Sequence, residues 1–298
     1  LPHLVPWFYR FMQACRPADH ARGIAAIAAL LGRALPAHLE MLEAIKGRHM
    51  LSENGTLFVY RSEQAYAAEA AHWQARIDHG IDAFPLDRDG ILQHEPGLSP
   101  EARLGYFTPN WAHYRDPREL LIALADDLRR RGVDFVQAEI TGVEHAGGGA
   151  SALITSDAGR IPVSELVIAA GAWSGRLSKQ LGDAFPIEAD RGYNTTLPNP
   201  GVDIRTMITF AEDNFVMTPM QMGLRIGGAV EMGGLEAEPN YQRSRALIQL
   251  ARRYLPDLNT EGGTEWMGHR PSSPDSVPVI SGSTHAPNVH YAFGHGHL

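Results

Sequence analysis

Residues 165–174 read Glu165-Leu166-Val167-Ile168-Ala169-Ala170-Gly171-Ala172-Trp173-Ser174, an apolar run that halts on small residues. Continuous apolar character over Leu166–Ala170 is what a strand covered on both faces requires. The small residues after it let a ligand approach the backbone amides at the carboxyl edge of a parallel sheet, where cofactors bind in open α/β folds. A close-packed strand-to-helix turn with no ligand carries the same residues, so both readings stay open on this motif alone. Ser174–Leu181 can form the short helix that such a turn leads into. Upstream, Asp116, Pro117 and Glu119 mark the start of a helix that runs to Arg131 and ends at Gly132. Val133–Val136 then starts a strand and Ala152–Ser156 another, with a turn at Asp157-Ala158-Gly159. Helix followed by strand is the succession of an α/β layer.

Further out, the pattern changes on both sides. Residues 7–15 read as helical, and Ile24, Ile27, Leu31, Leu35, Leu39, Leu42 and Ile45 form an apolar stripe of helical spacing with an expected kink at Pro36. Thr56–Tyr60 is a strand and Glu63–His79 a helix. From Ile187 to about Gly234 the segments Thr206–Phe210, Asn214–Pro219 and Leu224–Glu231 are short and divided by turn residues, which predicts an antiparallel sheet. A helix at Tyr241–Tyr254 leads into a last strand-rich stretch.

The chain has 298 residues, 44% of them hydrophobic and 20% charged, with a formal net charge of −8. That length allows one or two domains with a sizeable core. The acidic balance, with no basic run, argues against nucleic acid as a partner. The single cysteine, Cys15, forbids an internal disulfide and fits a reducing, cytoplasmic setting. No run of about 18 apolar residues stands out as a membrane span.

Two further stretches could carry chemistry. In Gly268-His269-Arg270-Pro271-Ser272-Ser273-Pro274-Asp275, Arg270 lies between a strand and a proline-rich turn. A guanidinium there can hold a carboxylate through two parallel hydrogen bonds, or it can pair structurally with Asp275 or a carbonyl. In Tyr291-Ala292-Phe293-Gly294-His295-Gly296-His297-Leu298, alternating glycines after an apolar strand bring the backbone flush against something flat or anionic. His295 and His297 would share one strand face, but no nearby acid or cysteine completes a metal ligand set, so no metal is expected. The sequence contains no G-x-x-x-x-G-K-[ST], H-E-x-x-H, G-x-S-x-G or G-x-G-x-x-G pattern.

In this order the motifs resemble the D-amino-acid oxidase-like superfamily of FAD enzymes, and most of all its D-amino-acid dehydrogenase and glycine oxidase group. VIAAGAWS is similar to the family's second FAD-binding strand, Asp190-Arg191-Gly192-Tyr193 to its R-G-Y/H strand, GHRPSSPDSVPVI to its G-x-R-P-x-x-P-D segment, and YAFGHGHL to its flavin-facing strand. The resemblance implies an α/β (α+β) fold. It consists of an FAD-binding Rossmann-like domain without its first βαβ unit and an antiparallel-sheet substrate domain. The divisions implied are a helical interface region at 1–55, substrate-domain strands and a helix at 56–115, FAD-binding domain at 116–186, substrate domain at 187–265, and a return to the FAD-binding domain at 266–298. Family members open with a strand, a G-x-G-x-x-G turn and a helix that grip the FAD pyrophosphate. The expectation is therefore a natural protein longer at both ends, and a chain that alone binds FAD poorly and is inactive.

Residue by residue, the resemblance implies that Arg270 clamps a substrate carboxylate. Val136, Ala170, Gly171, Trp173, Gly268, Gly294, His295, Gly296, His297 and Leu298 would line the FAD. Phe215 falls on a substrate-facing strand where relatives often carry Tyr, and Tyr193 is the candidate to supply the missing hydroxyl. The implied reaction is oxidative deamination of an amino acid, a D-amino acid first, by hydride transfer to flavin, giving a 2-oxo acid and ammonia. The alternatives are glycine or sarcosine, a cyclic imino acid such as D-proline or hydroxyproline, and a flavin-free metal-binding or interaction module. The resemblance leaves quinone and oxygen both open as electron acceptor. It allows peripheral association with the inner face of the cytoplasmic membrane.

Overall fold

The computed structural model of the chain describes residues 4–297. Three helices open it, α1 (Val5–Ala14), α2 (Pro17–Leu31) and α3 (Ala34–Ala44). Trp7 of α1 donates its indole N–H to the carbonyl of Ser272 at 3.1 Å, tying the helical opening to the far end of the sequence. The helical stripe breaks at Gly32-Arg33, ahead of the expected kink at Pro36. Pro36 falls in the first turn of α3, where backbone amides have no intrahelical partner in any case, so the missing N–H costs nothing there. By length and composition the stretch Pro17–Ala44 could cross a membrane, which corrects the expectation that no such run exists. Its alanines had diluted the apolar signal. Core helices and leader segments share the same length and composition.

Beyond them run β1 (Leu51–Ser52), β2 (Thr56–Tyr60), α4 (Glu63–Ala68), α5 (Ala70–Asp78), β3 (Phe84–Leu86), α6 (Arg88–His94), β4 (Leu104–Thr108), β5 (His113–Tyr114) and α7 (Pro117–Arg130). Asp116 caps α7, its carboxylate accepting from the Arg118 amide at 2.8 Å. Next come β6 (Ile140–Ala146), β7 (Gly149–Thr155), β8 (Arg160–Pro162), β9 (Leu166–Ile168), α8 (Ser174–Gln180), β10 (Glu188–Leu197), β11 (Met207–Phe210), β12 (Phe215–Met220), β13 (Gly223–Met232) and α9 (Gln242–Tyr254). The last strands are β14 (Thr264–Ser272), β15 (Val279–Gly282) and β16 (Val289–Phe293).

One eight-stranded sheet has the order β14-β10-β13-β12-β11-β2-β4-β3 and is antiparallel except for the parallel pair β11–β2. Strand alternation sends Leu57, Val59, Phe210, Phe215, Leu224 and Ile226 to one face, where Leu247, Ala251 and Tyr254 of α9 cover them. Each such large apolar side chain contributes about 1.5–3 kcal/mol on burial. Glu95, with no solvent exposure, crosses from the end of α6 to accept from the amides of Arg205 and Thr206 at 3.0 and 2.7 Å. Burial pushes its carboxyl up, and the hydrogen bonds from Thr206 and Arg205 oppose that.

The second layer is the sheet β15-β16-β9, in which β9 and β16 run parallel, next to the antiparallel β6-β7-β8. Two expectations are corrected here. Val133–Val136 forms no strand, because no described strand lies beside it to complete its hydrogen bonds. Leu166 and Ile168 are buried, but Val167 is 60% exposed, so β9 is covered on one face only. β14 stays paired with β10 through Ser272.

Candidate functional site

The parallel pairing of β9 with β16 sets Leu166 against Val289 and Ile168 against Tyr291, so their carboxyl ends stop side by side. After β9, Gly171–Trp173 forms a 3₁₀ turn with Gly171 at φ +54°. That left-handed backbone requires glycine, and the space where a Cβ would stand above Gly171 is open. After β16, Gly294 and Gly296 also lie in the left-handed region, at φ +83° and +56°. His295 bridges to Ser272, and the Gly296 amide donates to the Pro271 carbonyl at 2.9 Å. The two glycine-ended segments and the end of β14 thus converge. A cavity of about 740 Å³ lies on the Gly294 side, bounded by Ile187, by Ser273–Val279 and by Arg10, Arg16 and Arg22 from the helical opening.

Arg270 sits on β14 directly opposite Asp190 of β10. Its guanidinium lies flat over Gly192, where a Cβ would come within 2.3 Å of Cζ. Arg270 Nη1 stands 3.7 Å from Asp190 Oδ1, and His297 Nε2 lies 3.1 Å from Asp190 Oδ2. The Ser272 hydroxyl reaches the same Oδ2 at 3.5 Å. Nη1 of Arg270 and Oδ1 of Asp190 are buried, and neither has a hydrogen-bond partner among the described residues. Burial pulls the Arg270 guanidinium below its ordinary range, and the nearby Asp190 charge opposes that pull.

Of the expected site residues, Gly171 and Gly294 follow the paired strands β9 and β16, His295 and Gly296 meet the end of β14, and His297 and Arg270 meet at Asp190. Ala170 is exposed at the mouth of the first turn. Trp173 is 46% exposed and meets β14 through the edge of the His269 ring, with centroids 5.3 Å apart. Alternation puts His269 on the face opposite Arg270, so Trp173 and the guanidinium flank β14 from two sides. Leu298 lies outside the described residues.

Four expectations are corrected. Phe215 is buried in the core, stacked on Phe210 at 4.5 Å, and faces α9 in place of a ligand. Tyr193 shares that α9 face, with its hydroxyl donating to Glu231 and accepting from the Asn240 amide at 3.0 Å, so it offers nothing to a ligand at Arg270. The open side of Gly268 is taken by the Trp266 ring. Val136 stands 69% exposed in an extended segment without a ladder.

Two polar residues on the face of Arg270 escaped the reading of the sequence. Asp190 is one. The other is Arg225, half-buried, whose Nε reaches Thr196 Oγ1 at 3.4 Å and which has no ion pair among the described residues. Burial lowers its pKa, and Asp116 opposes the shift. The available signal was parity: Arg225 interrupts Leu224 and Ile226, two core positions of an inner strand.

These residues fit the ring end of a flavin. The space over Gly171 is open, the backbone at Gly294 and Gly296 carries no Cβ, and a buried guanidinium nitrogen stands without a hydrogen-bond partner near Asp190, which His297 also reaches. Among the described residues no group of three or more His, Cys, Asp or Glu could hold a metal ion.

Residues 5–298 match the family described as FAD dependent oxidoreductase. The chain is 31% identical over 303 residues to a D-amino-acid oxidase of Bradyrhizobium diazoefficiens, covering all of this chain and 72% of that protein. It is 30% identical over 318 residues to a D-amino acid dehydrogenase of Dechloromonas aromatica, covering all of this chain and 73% of that protein. Among solved structures, glycine oxidase from Geobacillus kaustophilus superposes with a TM-score of 0.77 at 22% identity, over 90% of this chain and 73% of that one. L-proline dehydrogenase from P. horikoshii gives 0.76 at 19% identity, over 89% and 73%. At such identities the structural likeness establishes the fold and nothing finer.

Proposed function

The chain belongs to the family of FAD dependent oxidoreductases, and from that premise we propose that it oxidises the C–N bond of a small amino acid, a D-amino acid first. The single observation that carries this reading is Arg270, whose guanidinium has a buried, unpartnered nitrogen, lies over Gly192 and shares Asp190 with His297 of the glycine-ended C-terminal segment. Relatives of about 30% identity named D-amino-acid oxidase and D-amino acid dehydrogenase support the choice of substrate.

FAD, when bound, supplies the acceptor for two electrons. The segments ending in Gly171 and in Gly294-His295-Gly296 are the residues that would hold its ring. Arg270 receives the substrate carboxylate through two parallel hydrogen bonds, which fixes the orientation of the α-carbon as well as its distance. Partial burial strengthens that attraction by excluding water. No side chain is assigned as a base: the amine loses its proton to solvent before the α-hydrogen leaves. The resulting imine takes up water to give a 2-oxo acid and ammonia, so atoms and electrons balance.

The test is a panel of D- and L-amino acids, glycine, sarcosine and D-proline, assayed with oxygen and with an artificial electron acceptor. Oxidation of D-amino acids to 2-oxo acids is expected of the full-length enzyme. Arg270→Ala should lower kcat/KM on the order of 100-fold, as loss of a charge-assisted bidentate pair does. Turnover within a few-fold of the unaltered protein would remove Arg270 from the carboxylate role.

A further inference from the structure

Asp190 is the one carboxylate within 4 Å of Arg270 among the described residues. It comes from the neighbouring strand, its side chain is only 5% exposed, and that of Arg270 is 28% exposed. At 3.7 Å the pair is too far apart for a hydrogen bond, so Asp190 does not grip the guanidinium or use up its donors. It acts through charge. The groups around it are Arg270 from β14, Ser272 at the end of the same strand, and His297 beyond β16.

With His297, 3.1 Å from Asp190, in its uncharged form, Arg270 and Asp190 together carry no net charge. A ligand that brings only a carboxylate would make this partly buried site a net anion, with two carboxylates sharing one guanidinium. Desolvation makes such an excess charge costly. An α-amino acid in its zwitterionic form adds nothing to the total: its carboxylate faces Arg270, and its ammonium sits in the field of Asp190. We propose that Asp190 sets the charge specificity of the site, admitting net-neutral amino acids and turning away carboxylates that lack an amino group. The inference rests on the carboxylate role of Arg270. It reaches the product as well, because a 2-oxo acid carries the carboxylate without the ammonium. Asp190 therefore also speeds release of the oxidised product.

Two compounds of one skeleton test this. 2-Methylalanine is a zwitterion with no α-hydrogen, so it binds without being oxidised. 2-Methylpropanoate lacks only the amino group. Calorimetry on the unaltered protein should find 2-methylalanine bound tenfold or more tightly than 2-methylpropanoate. In Asp190→Asn the preference should vanish, with 2-methylpropanoate and the 2-oxo acid product each binding about tenfold more tightly than before. A loss of structure would not produce that gain. Asp190→Glu, which keeps the charge, should keep the preference. Equal affinities in the unaltered protein, or equal weakening of both compounds in Asp190→Asn, would overturn the assignment and leave Arg270 as the carboxylate site. If the unaltered protein binds neither compound, the carboxylate reading itself fails and this inference with it. Should Asp190→Asn not fold, the tenfold preference of the unaltered protein and its retention in Asp190→Glu decide the matter.

Discussion

Gly192 is the floor on which the Arg270 guanidinium rests, and the contact is with the far end of a flexible side chain. An added methyl at 2.3 Å from Cζ would therefore displace Arg270 without disturbing the backbone. Gly192→Ala is expected to keep the thermal midpoint within a few degrees and to raise KM for the amino acid on the order of tenfold. Thermal unfolding followed by substrate titration separates the two effects, and a large fall in midpoint with KM unchanged would contradict the placement. At this scale the sequence left Arg270 open between holding a carboxylate and pairing structurally with Asp275 or a carbonyl, and the structure sets it opposite Asp190, a partner neither reading named. Tyr193 and Phe215 were not placed correctly. Alternation divides a strand into two faces, but only the packing of Tyr254 from α9 onto Phe210 and Phe215 settles which face is core. Asp190 was hidden for a related reason: it stands next to Arg191, whose guanidinium is spent on the carbonyls of Gly234, Ala237 and Glu238.

Between elements, Asp183 after α8 holds the β15–β16 connection in place. Its carboxylate accepts from Ser283, from Thr284 at 2.6 Å, from His285 at 2.9 Å and from Tyr291 of β16 at 2.8 Å. Burial pushes this carboxyl up, but the four hydrogen bonds outweigh it and hold the group well below the usual carboxylate range. A depressed pKa in the folded state means that the unfolded chain takes up the proton first as pH falls. The stabilisation is complete above the unfolded value of about 3.8 and is lost as pH drops below it. Asp183→Asn should cost about 2–3 kcal/mol near neutrality and flatten the acid limb of urea midpoints followed from neutrality down to about pH 2. An unchanged acid limb would rule the network out as its source. Most elements themselves were readable: α7 from its Asp116 cap, β12 and β13 from alternation, α9 from its apolar stripe. The segment at Val133–Val136 was not, because β-branched and aromatic residues announce a strand whether or not a neighbour is there to pair with it.

Across the whole molecule, the α7 side is one of the places where large apolar side chains stay exposed. Leu121 and Ile122 of α7 are 66% and 46% exposed, and Phe135 and Val136 just beyond it are 51% and 69% exposed. Exposed apolar side chains drive association where they join into one patch. Sedimentation of residues 1–298 should show a mean mass that rises with concentration, and the double substitution Leu121→Glu, Ile122→Glu should suppress the rise. A monomer at every concentration would argue that these side chains are too dispersed to act as a patch. The mixed α/β character of the fold was legible in the sequence, whereas the single parallel contact inside the larger sheet was not, since β11 and β2 lie about 150 residues apart and no local pattern links them.

The pairing of β9 with β16 has a consequence for how the protein is made. Residues 166–168 must wait for residues 289–291 before their edge is covered. A ribosome releases the chain from the amino end, so the wall under Gly171 stands alone through the synthesis of some 120 further residues. Arg270 also emerges before the His295 and Gly296 contacts that close over β14. A polypeptide interrupted anywhere short of Val289 would leave the translation machinery with the β9 edge that β16 covers still open.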